Sequence, residues 1–258
     1  MSRHPMKTFA FLTLCPITLS NCSPKPEFVA LQPELQTHIA SSEAYVQLCQ
    51  DKMLADIEPS KISESNPSLL MVLVDTAIMA YRSNCAEDAM VDMQKELKNY
   101  GLQKKFQQRL EQALQAATWL HLGPIHHVAA LDDETLEKAS KSTKADALLT
   151  AQFSYRLDAK FNTIRGTLDV VLHPTAEKWK TVVQDTDLSR SPLMKFSLAY
   201  SEPLPFRVMS IEDNAKRWLE NDAEYLKKAL NSILHNLFIQ LNNNLKNPHE
   251  VVDMRQTG

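Results

Sequence analysis

The sequence predicts an α+β domain, an α/β sandwich in which a mixed, largely antiparallel sheet has helices packed on it and a long C-terminal helix across one face. Three observations predict this. Between Ala145 and Pro174 apolar side chains fall at every second position in two runs, Ala147, Leu149, Ala151, Phe153, Tyr155 and Leu157, then Ile164, Leu168, Val170 and Leu172, the spacing of paired strands with one buried face. Their alternates, Thr150, Gln152, Ser154 and Arg156, then Arg165, Thr167 and Asp169, are polar, as where an antiparallel pair keeps one face wet. From Asn214 to Lys246, Leu219, Leu226, Leu230, Ile233, Leu237, Leu241 and Leu245 line a single helical face.

The 258 residues suit one good-sized domain with accessories. At 44% hydrophobic and 23% charged, they hold ample material for a core. Only four glycines occur, Gly101, Gly123, Gly166 and Gly258. Loops that wrap phosphate need glycine for close backbone approach, so nucleotide binding through a P-loop or Rossmann fingerprint is excluded. The net charge of −3 and the lack of a basic stripe interleaved with aromatics argue against a nucleic-acid partner.

At the N-terminus Arg3 and Lys7 precede a run from Phe9 to Leu19 that is apolar apart from Thr13, Pro16 and Thr18. This is the layout of an export signal over residues 1–21, starting at Met1 or, more compactly, at Met6. Spanning a bilayer takes about 20 apolar residues, so the run is too short for a membrane anchor. It ends in Leu19-Ser20-Asn21-Cys22, which resembles the lipobox of bacterial lipoproteins. Leu19 and Ser20 fit that pattern, and Asn21 stands where glycine, alanine or serine is usual. The resemblance implies lipid attachment at Cys22 as the first residue of the mature chain. With Ser23 in place of an aspartate, it also implies the outer membrane, facing the periplasm. The other readings are a simple secretory signal, giving a soluble periplasmic or secreted protein, and a cysteine present by chance.

With Cys15 inside the signal and Cys22 lipid-bound, Cys49 and Cys85 remain. In an oxidising compartment they can form a disulfide, worth on the order of 3–4 kcal/mol in the chain-entropy model. The alternative is two buried free thiols. No Cys-x-x-Cys pair is present to suggest redox chemistry.

Pro33 to Ile57 reads as a helix, with Leu35, Ile39, Ala44, Leu48 and Leu54 near helical spacing, and Ser60 to Pro67 as a linker. Residues 22–66 are thus a lipid tether, an N-terminal helix and a linker, 67–246 the sandwich domain, and 247–258 a flexible tail. Leu69 to Tyr81 suits a strand buried on both faces, although its periodicity is equally that of a buried helix. Glu87 to Tyr100 is helical, with Met90, Met93 and Leu97 on one side and Gly101 where a helix ends. Lys104 to Ala117 places Phe106, Leu110, Ala113, Leu114 and Ala117 on one stripe. Thr118 to Val128 reads as an edge strand with a bulge or break at Gly123-Pro124. Asp132 and Asp133 start a helix over Glu134 to Ser142, and Lys195 to Ser201 is a strand stopped by Pro203 and Pro205. In the last helix, Asn221 followed by Glu224 marks a second start.

No catalytic residue, cofactor or nucleotide emerges. His121, His126 and His127 beside Asp132 and Asp133 form the one cluster of metal-ligand types. Strand geometry sets His121 and His127 about 20 Å apart, so no metal site is predicted. No His-Glu-x-x-His helix or Gly-x-Ser-x-Gly elbow occurs.

The order of elements from Leu69 to Lys246 resembles the sandwich of the penicillin-binding-protein activator lipoproteins, the curli-secretion lipoprotein and the N-terminal domain of the Tol-system propeller protein. Trp119-Leu120-His121, Ala145-Asp146-Ala147-Leu148, Tyr155-Arg156-Leu157 with the Phe161 turn, and Trp218 are similar to uncharacterised bacterial envelope lipoproteins. The resemblance covers about 180 residues and implies a fold and a location, with no functional residue beyond Cys22. The expectation is a lipid-anchored, non-enzymatic module, bound to the membrane through its N-terminal lipid. It would bind an envelope protein partner, or itself, through the sheet edge or a loop such as Thr175 to Pro192. The alternative is a periplasmic enzyme or small-molecule-binding protein with a site built from scattered residues. A polar-lined pocket with clustered, perturbed titratable groups would mark the alternative, and a large apolar patch the first.

Overall fold

The structure, a computed structural model, describes residues 28–48, 54–56, 69–98, 100–175, 179, 192–206 and 210–250. Within the helix over 69–98 it describes side chains from Ser83 on, apart from Cys85. The elements run α1 (Pro33–Gln36), β1 (Ser42–Leu48), β2 (Leu54–Ala55), α2 (Leu69–Lys98), α3 (Leu102–Ala116), a 3-10 turn (Thr118–Leu120), β3 (Leu122–His127), α4 (Asp133–Ser142), β4 (Ala147–Leu157), β5 (Thr163–Pro174), β6 (Met194–Pro203) and α5 (Ile211–Lys246). The six strands form one mixed sheet in the order β3-β1-β4-β5-β6, with the short β2 also pairing β4. β1 runs parallel to both β3 and β4, whereas β4, β5 and β6 form an antiparallel meander. The fold is α+β, with the long C-terminal helix packed against the sheet.

The alternation in β4 and β5 decides which face is covered. Phe153 is fully buried and stacks on Phe106 of α3 at 5.1 Å between ring centres, and Phe106 in turn meets Phe238 of α5 at 5.8 Å. Leu168, Val170 and Leu172 of β5 are buried on the same side. α5 lies over β5 and β6 and packs laterally on α2 and α3. Gly166 pairs with Tyr155 and Tyr200 and lets α5 approach the sheet, because a Cβ there would overlap Ile233 Cγ2 and come within 3.2 Å of Phe153 Cε2. The run Ile211–Lys246 is broken at 220–223, where Asn221, Asp222 and Ala223 are left-handed. This is where Asn221 and Glu224 predict a second start.

Three elements differ from expectation. Thr118–Leu120, read as the start of the edge strand, is a 3-10 turn, and the strand begins at Leu122. Residues 42–48, read as part of a helix, are the strand β1, with Ser42, Ala44 and Val46 buried and Glu43, Tyr45 and Gln47 on the other side. Among the described residues of that region only α1 is helical, and the sheet recruits chain from before residue 67. Leu69 to Tyr81, read as a strand with a buried helix as the alternative, is the first half of the 30-residue helix α2. Its continuation through Met93 and Leu97, both buried, extends the apolar run to a length no single strand reaches.

Small polar clasps hold these elements in register. Asp146 Oδ2 accepts from the amides of Ala40 and Ser41 at 2.9 and 3.1 Å, pinning the entry of β1 to that of β4. The buried Ser42 hydroxyl donates to the Leu120 carbonyl at 2.6 Å. Asp132 caps α4 by accepting from the Thr135 amide at 2.8 Å, and its hydrogen bonds with the Thr135 side chain first and that amide second hold its carboxyl below the usual range.

Candidate functional site

The two edges of the sheet are chemically unlike. On the β3 edge the register slips between Ser42 and Ala44, so that Gly123-Pro124 inserts an extra residue against β1. Proline lacks an amide donor and a bulge twists the strand, and both devices block further pairing. On the β6 edge Lys195 exchanges both backbone hydrogen bonds with Val29 at 2.9 Å. Antiparallel strands aim the amide and carbonyl of alternate residues to the same side, so Ser197, Ala199 and Ser201 present theirs outward too. Among the described residues nothing pairs them. Phe196, Leu198 and Tyr200 turn theirs to β5, and Pro203 ends the outward run.

A cleft of about 1030 Å³ opens where the α2–α3 junction meets the carboxyl ends of β1 and β4. Gly101 makes that junction, with its φ of 69° reversing the chain between the helices. Leu48, Leu97, Leu102 and Tyr155 give the cleft an apolar floor, and Val91, 67% exposed, stands on its rim. Lys95, Lys98 and Lys104 also line it, and among the described lining residues there is no carboxylate. Among the described residues none of the three lysines has an ion-pair partner, whereas Lys138, Lys141, Lys227 and Lys228 all have one. Gln94 Oε1 is buried in the same wall with no hydrogen-bond partner among the described residues. Burial pushes the Tyr155 hydroxyl up to about 12, so it is protonated throughout the neutral range. A second cavity of about 320 Å³ shares Leu48, Gln103 and Gln107 with the first and reaches His127.

The histidines do not converge. His126 lies over Tyr45 with ring centres 4.6 Å apart and Nε2 3.6 Å from Glu43, while His127 Nε2 is 3.5 Å from Glu111 of α3. Adjacent strand residues point to opposite faces, and these two follow that rule. Among the described residues no three His, Cys, Asp or Glu side chains are placed to hold a metal ion. Cys22 and Cys49 lie outside the described residues, as does the Cys85 side chain, whose backbone is within α2. Of the loop 175–192, Thr175, Trp179 and Pro192 are described. Trp179 is buried and donates to the Asp146 carbonyl at 2.6 Å. Among the described residues no helix is long and apolar enough to cross a membrane.

Sequence reasoning missed the lysine-rimmed cleft. Its local signal was Lys95 and Lys98 three apart on one helix, a spacing that puts them on one face. Their meeting with Lys104 depends on the reversal at Gly101.

His173, half-buried on the face of β5 away from α5, is held below its ordinary value of 6.5, first by burial and then by the Lys195 charge. The unfolded chain therefore takes up a proton near pH 6.5 that the folded chain refuses until lower pH, so stability rises with pH across that window. Its contribution is complete above 6.5 and is lost as the pH falls. Urea midpoints taken on both sides of pH 6.5 should drop on the acid side by more in the native chain than in His173→Gln. Identical drops would remove this account.

No protein-family model matches the chain, and no curated protein matches it.

Proposed function

We propose that this chain is a lipid-anchored, non-enzymatic binding module of the bacterial cell envelope, held at the outer membrane through Cys22 and taking up a partner strand along β6. The observation that carries the binding role is the contrast between the two sheet edges. β3 is blunted by Gly123-Pro124, whereas β6 offers three consecutive outward residues, Ser197, Ala199 and Ser201. Adding a strand to such an edge satisfies its main-chain groups and gives affinity through them. Anchoring is supported by Leu19-Ser20-Asn21-Cys22 behind the apolar run. Five residues separate Cys22 from Phe28, a reach of at most about 20 Å for extended chain. Because Val29 bridges β6 directly, a lipid on Cys22 would keep the open edge close to the bilayer.

The test expresses the full-length chain in a bacterium with labelled palmitate beside Cys22→Ala, and follows label and membrane fractionation. Label and membrane recovery should both depend on Cys22. Soluble, unlabelled protein in both cases would end the anchoring claim. A photoreactive residue in place of Ser197 should then give crosslinked adducts that vanish with Ala199→Pro, which removes one outward amide and no β5 hydrogen bond. Adducts unchanged by the proline would end the edge claim.

A further inference from the structure

We infer that the cleft between the α2–α3 junction and the ends of β1 and β4 binds a single-chain anionic amphiphile, an acyl chain ending in a carboxylate. Three independent features of its wall converge on that chemistry. The floor of Leu48, Leu97, Leu102 and Tyr155 is apolar, and the rim residue Val91 is left 67% exposed, an arrangement that gains from covering hydrocarbon. Lys95, Lys98 and Lys104 stand around that floor with no carboxylate among the described lining residues, a positive field that a negative head enters favourably. The first turn of α3 adds to this field, since Gly101 supplies no side-chain cap and the positive end of the helix dipole faces the same space.

The third feature is the amide of Gln94. One of its polar atoms is buried against the cleft without a partner, and such a group costs free energy until a ligand or water completes it. Which end of the amide faces inward is an assignment; with its NH2 turned inward it donates to the carboxylate head, which only accepts. The volume of about 1030 Å³ lies at the top of the range typical of small-ligand sites. The neighbouring cavity, reached past Leu48, Gln103 and Gln107, gives a chain room to continue toward β3. An inorganic anion would leave the floor wet, and a neutral lipid would leave three lysines without a counter-charge. This site is independent of the lipid on Cys22 and of the β6 edge.

The test uses the full-length chain carrying Cys22→Ala, so that no attached lipid competes, with dansyl-undecanoate as the probe and oleate as the competitor. Dansyl emission should rise on mixing, oleate should reverse it, oleyl alcohol should do so far less well, and added salt should weaken binding. The triple variant Lys95→Glu, Lys98→Glu, Lys104→Glu should weaken the probe at least about tenfold, equivalent to about 1.4 kcal/mol. Val91→Asp, a change at an exposed position outside the core, should weaken it severalfold. Lys138→Glu with Lys141→Glu, on α4 and away from the cleft, changes net charge without touching the site and should leave binding unchanged. Three outcomes overturn the inference: no emission change, equal loss in the α4 variant, and displacement by oleyl alcohol as effective as by oleate. A leucine- and glutamate-rich peptide displacing the probe at lower concentration than oleate would also overturn it, marking the cleft as a peptide groove. Because Cys22 and β6 are not read in this experiment, its failure leaves the anchoring and edge proposals standing.

Discussion

Trp218→Ala is expected to cost about 3–5 kcal/mol of stability, the range for removing a large buried aromatic side chain. Trp218 is fully buried on the first segment of α5, and its indole Nε1 donates to the Phe161 carbonyl at 2.8 Å. Phe161 is itself buried and left-handed, at φ 57°, a conformation that its neighbours must hold. The same turn is gripped from two other directions. Asn214 donates to the Lys160 carbonyl and to Asn162 Oδ1 at 2.9 and 3.0 Å, and Asp158 Oδ1 accepts from the Asn162 amide at 2.7 Å. The truncation therefore leaves a cavity and also removes the donor that fixes the β4–β5 turn. Trp218→Phe should keep most of the packing and lose the hydrogen bond, costing about 1–3 kcal/mol. Urea unfolding should show both as lower midpoints with an unchanged slope. A loss below about 1.5 kcal/mol for the alanine variant would mean that the turn is held without the indole.

Gly166→Ala should cost about 1–3 kcal/mol, as overpacking does in a closed core. The added methyl would overlap Ile233 Cγ2 and crowd Phe153 Cε2. Ile233 and Phe153 are both fully buried, so neither has free space into which to turn. The backbone at Gly166 is ordinary strand, and in the open an alanine there would be stabilising through the unfolded state; the expected sign is therefore set by Ile233 of α5 and Phe153 of β4. Pairing Gly166→Ala with Ile233→Ala should cost less than the sum of the two single losses, since the second change removes the Cγ2 that the added methyl overlaps. Additive losses in the double variant would show that α5 does not approach the sheet as closely as the distances indicate.

β4, β5 and β6 were legible because each carries a strict period of two over a long run, and because their partners are near in sequence, Leu157 opposite Ile164 for instance. The helix α3 was legible for the matching reason, with Phe106, Leu110, Ala113 and Leu114 all buried on one stripe. β1 was misread because Leu35, Ile39, Ala44 and Leu48 are spaced by four or five, which suits a helix as well. What makes it a strand lies far away, at Leu122 in β3 and Ala147 in β4. The apolar stretch at the start of α2 carries no amphipathic signature, so its period could not choose between strand and helix.

By itself the sequence determined the α+β class, the antiparallel half of the sheet and the break in the last helix. These follow from local periodicity and from the turn preferences of a few residues, which act over neighbouring positions. Only the tertiary structure decided the parallel half of the sheet, the contrast between its two edges and the lysine-rimmed cleft. Each of these requires segments separated by about 50 residues or more to meet, Leu48 with Gln94 and Tyr155 in the cleft, Val29 with Lys195 at the edge. The free energy that brings such segments together is burial of the shared core, a property of the whole chain that no local window contains.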